Sequence, residues 1–188
     1  MPLLHLLAGP NGAGKTSYVR DVLIPATHLP FINADEITAE RWPDAQAEHA
    51  YEGARIAEAE RRDKIAAEES FISETVFSHQ SKVQLVSDAM EAGYLVHLHV
   101  MMVPVELTVQ RVRERVQRGG HAVPEQKIRD RYERLWGRLG EAIRIADVAE
   151  LFDNSSAPNP FRLCATYRNG ALIGDPGWPK WLPDELRA

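Results

Sequence analysis

The stretch LLHLLAGPNGAGKTS at residues 3–17 restricts what this chain can fold into more than any other. Residues 3–8 are mostly apolar and read as a short buried strand. They run into a glycine-rich turn that fits GxxxxGK[ST], as Gly9-Pro10-Asn11-Gly12-Ala13-Gly14-Lys15-Thr16, and a helix is predicted from about Ala13 to Leu23. Glycines let successive backbone N–H groups point at one centre, and a helix N-terminus adds its positive end, so the turn suits phosphate. Lys15 is expected to reach the β/γ-phosphates of a nucleotide and Thr16 to bind magnesium. Gly9 through Ser17 are therefore the candidate cofactor-binding residues, for ATP with Mg2+.

The rest of the chain alternates strand and helix patterns. Strands are predicted at 29–33, 70–74, 94–103 and 148–153, and a terminal hairpin at 161–174 around Asn169-Gly170. Helices are predicted from Pro43-Asp44 to about Glu69, over 79–92, from Pro104 to Gly119-Gly120, and from Pro124-Glu125 to about Ala146. The tail from Asp175 shows no periodicity. Strands spaced by helices imply an α/β fold with a mainly parallel sheet covered on both faces. One domain over 1–188 is expected, with a lid at about 111–131 and a C-terminal hairpin and tail at about 161–188. Ligands of such sheets bind beyond the carboxyl ends of the strands, so the residues there carry the functional reading.

Past the second strand stand Asn33, Ala34, Asp35 and Glu36. Asp35 can take the proton of an attacking hydroxyl or hold a magnesium-bound water, and an acid there also suits a helix cap or a solvated turn. Past the third strand come Glu74 and Thr75, placed to bind an acceptor, and then Ser78, which suits a helix cap at least as well. The fourth strand ends in Met101-Met102-Val103 with no acid, and the guanine-specifying NKxD sequence is missing. Both absences speak against a motor ATPase or a GTPase.

Charge is uneven along the chain. The net formal charge is −5, but residues 111–144 hold ten Lys/Arg against five Asp/Glu, a local +5 that leaves −10 elsewhere. Arg111 and Arg115 are four apart on one helical face and are candidates to neutralise charge on a transferring phosphoryl group. The other arginines of the stretch read mostly as a salt-bridged surface. Gly119-Gly120 make a plausible hinge before His121. The overall acidity and the lack of interleaved aromatics argue against nucleic acid as a partner. No apolar run is long enough for a membrane span. A lone cysteine, Cys164, suits a reducing cytoplasm.

Taken together, AGPNGAGKTS, FINADEI, the SET after the third strand, RVRERVQRGGHAVPEQKIRDRYER and FDNS resemble the zeta-toxin family of P-loop kinases, over about residues 3–155. The resemblance implies an adenylate-kinase-like fold with a helical lid. It implies transfer of the γ-phosphate of ATP to a hydroxyl of a UDP-sugar, UDP-N-acetylglucosamine in the best-known relatives, and an antitoxin partner. On this resemblance Lys15 and Thr16 are the phosphate-loop pair and Asp35 the catalytic base. Asn33, Asp35, Glu74 and Thr75 bind the acceptor, Arg111 or Arg115 serves as a lid arginine, and Asn154 of FDNS lies on the nucleotide side. The family places another arginine just before the lid proline, where this chain has His121 three residues before Pro124.

Overall fold

A computed structural model describes residues 1–117 and 123–186. Seven strands form one sheet in the order β2-β3-β1-β4-β5-β6-β7. They are β1 (Leu3–Ala8), β2 (Phe31–Ile32), β3 (Phe71–Thr75), β4 (Leu95–Met102), β5 (Val148–Asp153), β6 (Arg162–Arg168) and β7 (Ala171–Ile173). The first five are parallel, and β6 and β7 add an antiparallel hairpin beside β5. The mainly parallel α/β sheet is the one the alternation predicts.

Both faces of the central strands are buried, which is why they read as nearly continuous apolar runs. In β1, Leu4, Leu6 and Ala8 join one core with Val96, Leu98, Val100 and Leu151. Helix α5 (Ser81–Glu91) covers it through Val83, Val86 and Ala89, and α7 (Glu125–Ile145) through Leu135, Trp136, Leu139 and Ile143. Leu7, Ile72, Met101 and Phe152 face the other way, against Tyr18, Val19 and Leu23. The aperiodic tail is part of this packing: Leu182 and Leu186 are buried, and Trp178 and Trp181 lie against the first core.

The helix after the phosphate loop differs from its expected bounds. It begins two residues later, as α1 (Lys15–Tyr18), and runs on through a π-helical turn, Val19–Leu23, into α2 (Ile24–Thr27). Pro25 is the physical reason. Its ring crowds the carbonyl four residues back and it has no N–H to give. The wide turn sits immediately before it, with Ile24 N–H donating five residues back to Val19 O.

β2 is only two residues long because Asn33 leaves the strand and caps a helix not anticipated from the sequence, α3 (Ala34–Arg41). Asn33 Oδ1 accepts from the N–H groups of Asp35 at 2.8 Å and Glu36 at 3.4 Å. Helix α4 (Gln46–Ala66) then crosses α3 very closely at Gly53. A Cβ there would lie 1.8 Å from Thr38 Oγ1 and 2.9 Å from Ala34 O, so only glycine fits. Helix α6 (Val105–Gln117) packs on α7 through Val109, Val112 and Ile128. Arg118, Gly119, Gly120 and His121, and with them the expected hinge, lie outside the described residues.

Candidate active site

The phosphate loop leaves β1 between β3 and β4 and is held from three sides. Gly9 takes φ +144° and passes so close to β4 that a Cβ would stand 2.3 Å from Met101 O. Gly14, at φ +88°, lies against Asn154, whose Nδ2 a Cβ would meet at 2.3 Å. Ala13 N–H closes the turn on Pro10 O at 3.2 Å. Gly14 stands at the N-cap of α1 with no side-chain cap, and first-turn N–H groups have no acceptor within a helix. The glycines thus let the loop pack against β4, α6 and Asn154, and the first-turn N–H groups of α1 are left to serve a ligand.

Lys15 is 5% exposed, and its ammonium donates to Gly9 O at 3.1 Å and Pro10 O at 3.0 Å. Burial lowers its pKa, while Glu74, whose Oε1 lies 3.7 Å away, and Asp35 push it back up. Thr16 Oγ1 donates to Glu74 Oε2 at 2.7 Å, and Asn33 Nδ2 donates to the same oxygen at 3.1 Å. Register explains the encounter. Glu74 pairs with Leu7 across β3 and β1, so it ends beside the loop that follows β1. The acid missing from β4 therefore has a counterpart on β3, directly against the expected magnesium ligand.

The other expected site residues separate into two groups. Asn11, Asn33, Asp35, Glu74, Thr75, Ser78 and Arg115 line one cavity of about 510 Å3. Asp35 stands in the first turn of α3, is exposed, and among the described residues its carboxylate accepts no hydrogen bond. Asn33 lines the cavity, but its amide is engaged at both ends by the α3 cap and by Glu74. Thr75 Oγ1 accepts from Phe77 N–H at 3.2 Å. Ser17, one residue beyond Thr16, is exposed.

Arg111 and Arg115 share a helix but differ in surroundings. The Arg111 guanidinium donates to Gly12 O at 3.1 Å and Asn154 O at 3.0 Å, so it clasps the loop. Asn154 completes the clasp: its Nδ2 donates to Ala13 O at 2.8 Å and its Oδ1 accepts from Phe161 N–H at 3.3 Å. Both residues thus bond the backbone of the phosphate loop itself. Arg113 and Arg129 are paired with Glu125, and Arg129 also with Glu106, as the salt-bridged reading expects.

Four cations in the cavity wall escape a sequence reading centred on strand ends: Arg61, Lys82, Lys127 and Arg131. Arg61 is 5% exposed, and burial pushes its pKa down. Burial and then the Arg61 charge do the same to Lys82. A signal for Arg61 was present, since Gly53, Ala57 and Arg61 recur every four residues along one helical face and are all buried.

A parallel sheet with a glycine-lined phosphate loop at the C-terminal end of β1, closed by Lys15 and Thr16, defines the P-loop class of nucleotide-binding folds. The chain belongs to the AAA domain family, whose model matches residues 4–135. No curated protein matches the chain in sequence. Among solved structures, AvrRxo1-ORF1 with AvrRxo1-ORF2 and sulphate ions is similar at 17% identity and a TM-score of 0.72, over 92% of this chain and 60% of that one. The PezAT chromosomal toxin-antitoxin system of Streptococcus pneumoniae follows at 14% identity and 0.58, over 81% of this chain and 68% of that one. Shikimate kinase from Acinetobacter baumannii, in complex with shikimate, is similar at 19% and 0.56, over 84% and 86%. Identities this low speak to the fold. This chain spans about 60% of the AvrRxo1 chain's length. Among the described residues no helix is long and apolar enough to cross a membrane.

Proposed function

We propose that the protein is an ATP-dependent small-molecule kinase of the zeta-toxin type, which transfers the γ-phosphate to a hydroxyl of a sugar nucleotide such as UDP-N-acetylglucosamine. One observation carries the reading. Asn11 of the phosphate loop, the carboxylate of Asp35 and the cations Arg61, Lys82, Arg115, Lys127 and Arg131 all line the same cavity. A site that only sensed or hydrolysed a nucleotide has no need of a second, strongly cationic compartment. An acceptor that carries its own phosphates does, because buried cations are stabilised by anions.

The loop suits ATP, since it leads a helix N-terminus with uncapped N–H groups and carries the Lys15 ammonium against its own carbonyls. Bound ATP·Mg2+ supplies the phosphoryl group and the charge of the metal ion. Lys15 neutralises phosphate oxygens, and Thr16 offers its hydroxyl oxygen to the metal while Glu74 accepts that hydroxyl's proton side. Asp35 orients the acceptor hydroxyl and takes its proton as the new bond forms. Arg115 answers the charge on the transferring group. Arg111 and Asn154 keep the loop in shape, and Asn33 holds Glu74. The solved AvrRxo1 pair with ATP, at 16% identity and a TM-score of 0.62, accords with a nucleotide on this fold. The toxin-antitoxin setting of the PezAT neighbour accords with an antitoxin partner. The lone Cys164, buried and free, suits a cytoplasmic setting.

The test is a transfer assay with γ-labelled ATP and Mg2+ against a panel of sugar nucleotides, nucleosides, free sugars and nucleic-acid ends. Label on a sugar nucleotide supports the proposal. Label on another acceptor keeps the kinase and replaces the substrate, and turnover that needs no acceptor replaces the kinase by a nucleotide-switched ATPase.

A further inference from the structure

On the face of the sheet turned toward α1, three histidines meet. His5 on β1 pairs in register with His97 on β4, and His99 follows two residues later on the same face. The ligating atoms of the three all lie within 4.8 Å of one another. His5 Nδ1 and His99 Nε2 are 2.9 Å apart, and the His97 and His99 rings stack with centroids 4.0 Å apart. Glu150, opposite His99 on β5, flanks the group on its far side: its Oε2 lies 2.9 Å from His97 Nε2 and 3.9 Å from His99 Nδ1.

Ordinary buried histidines are explained by their hydrogen bonds. These are not. His5 Nε2 and His99 Nδ1 are buried with no partner among the described residues. Side chains this polar cost stability in a core unless something repays their desolvation. From the four side chains and their spacing we propose that His5, His97, His99 and Glu150 form a binding site for one divalent transition-metal ion, zinc by preference, distinct from the phosphate-loop site.

Three imidazoles, one of them oriented by a carboxylate, are a donor set that suits zinc and disfavours magnesium, which seeks oxygen. Nitrogens about 2.0–2.1 Å from a tetrahedral ion stand about 3.3–3.4 Å apart, so His5 Nδ1 and His99 Nε2, 2.9 Å apart across a hydrogen bond, need part by only a few tenths of an ångström to ligate together. An ion there replaces the proton the two rings share. Burial, then the neighbouring His97, lower the pKa of His5 to about 4, and burial, then His97 and His5, hold His99 well below its ordinary value. His97 is partly exposed and gives the ion a way in, and Tyr18 and Phe152 wall the inner side. None of the four residues lines the cavity that holds Asp35. Tyr18 stands on the helix that begins at Lys15, with its ring 5.6 Å from that of His99, so the ion would brace the sheet behind the phosphate loop.

The experiment uses the full chain without a polyhistidine tag, stripped with chelator and dialysed against Zn2+ in the presence of millimolar Mg2+. One equivalent of bound zinc and a raised Tm are expected. Co2+ added to the stripped wild type should give the visible absorption of a nitrogen-ligated site, a reading that needs no variant. Glu150→Gln, as loss of a partner that orients His97, should weaken zinc binding by about 10–100-fold, His97→Gln should weaken it at least as much, and Glu74→Gln should leave it unchanged. Failure of the wild type to bind zinc, or binding that Glu74→Gln abolishes and His97→Gln does not, overturns the site. Neither result bears on the transfer assay, so the two proposals stand or fall separately.

Discussion

Thr16 Oγ1 donates to Glu74 Oε2 at 2.7 Å, which joins the first helical turn after the phosphate loop to the end of a neighbouring strand. The bond holds the Thr16 oxygen in one orientation, with its lone pairs free for a metal. Glu74→Gln is expected to raise the Mg2+ concentration needed for half-maximal activity by about 10–100-fold, as loss of an orienting partner does. Titrating Mg2+ at saturating acceptor measures it. An unchanged Mg2+ requirement with a raised KM for the acceptor would return Glu74 to the acceptor-binding role expected from sequence.

Asp35 has no donor on its carboxylate among the described residues and faces the cavity. Asp35→Asn keeps the size and the α3 first turn but cannot take a proton. Transfer should fall by about 10²–10⁴-fold, with ATP·Mg2+ affinity within a few fold of wild type by calorimetry. A sharp loss of ATP·Mg2+ affinity that excess Mg2+ repairs would make Asp35 a residue of the metal's surroundings.

Arg111 and Arg115 should separate cleanly. Arg111→Ala breaks two bonds to backbone carbonyls that shape the loop, so Tm should drop along with ATP affinity. Hydrogen bonds from a charged group are worth about 1.5–3 kcal/mol each before relaxation. Arg111→Lys should restore little, because an ammonium cannot span both carbonyls as the guanidinium fork does. Arg115→Ala should leave Tm unchanged and lower kcat more than it weakens ATP. Thermal melts and steady-state kinetics on the same three preparations decide it.

Gly53→Ala tests how α3 is held. The added methyl group would overlap Thr38 Oγ1 and press on Ala34 O, one residue from Asp35. Overpacking of this kind costs about 1–3 kcal/mol, and denaturant unfolding should show it. Activity should fall further than stability explains, because α3 carries Asp35. Adding Thr38→Ala should recover part of both losses.

Much of this site was legible in the sequence wherever chemistry and backbone shape coincide. Residues 3–8 and 148–153 are strands with the expected bounds, and the glycines of the loop announced their turn. What was hidden depends on which strands become neighbours. Glu74 meets Thr16 because β3 lies beside β1, and no periodicity along the chain carries strand order. Asn154, which the resemblance puts on the nucleotide side, bonds Ala13 O from the end of β5, two strands away from β1. YLVHLHVMMV reads as a plain buried strand, and only register brings its two histidines to His5. Asn33 was ambiguous for a different reason. A short polar side chain after a strand suits a ligand and a helix cap equally, and here Asn33 caps α3 while it also lines the cavity.

The clasp on the phosphate loop also sets the order in which the site can come into being. The amide that binds the Ala13 carbonyl lies 141 positions later in the chain. At about 5–20 residues per second, the loop waits roughly 7–28 s for that partner during translation. β3 and β4, the strands that flank β1, are likewise made long after it. A nascent chain stalled before β5 thus carries the whole phosphate-loop sequence without the bond that pins it, and the finished shape of the loop waits for Asn154.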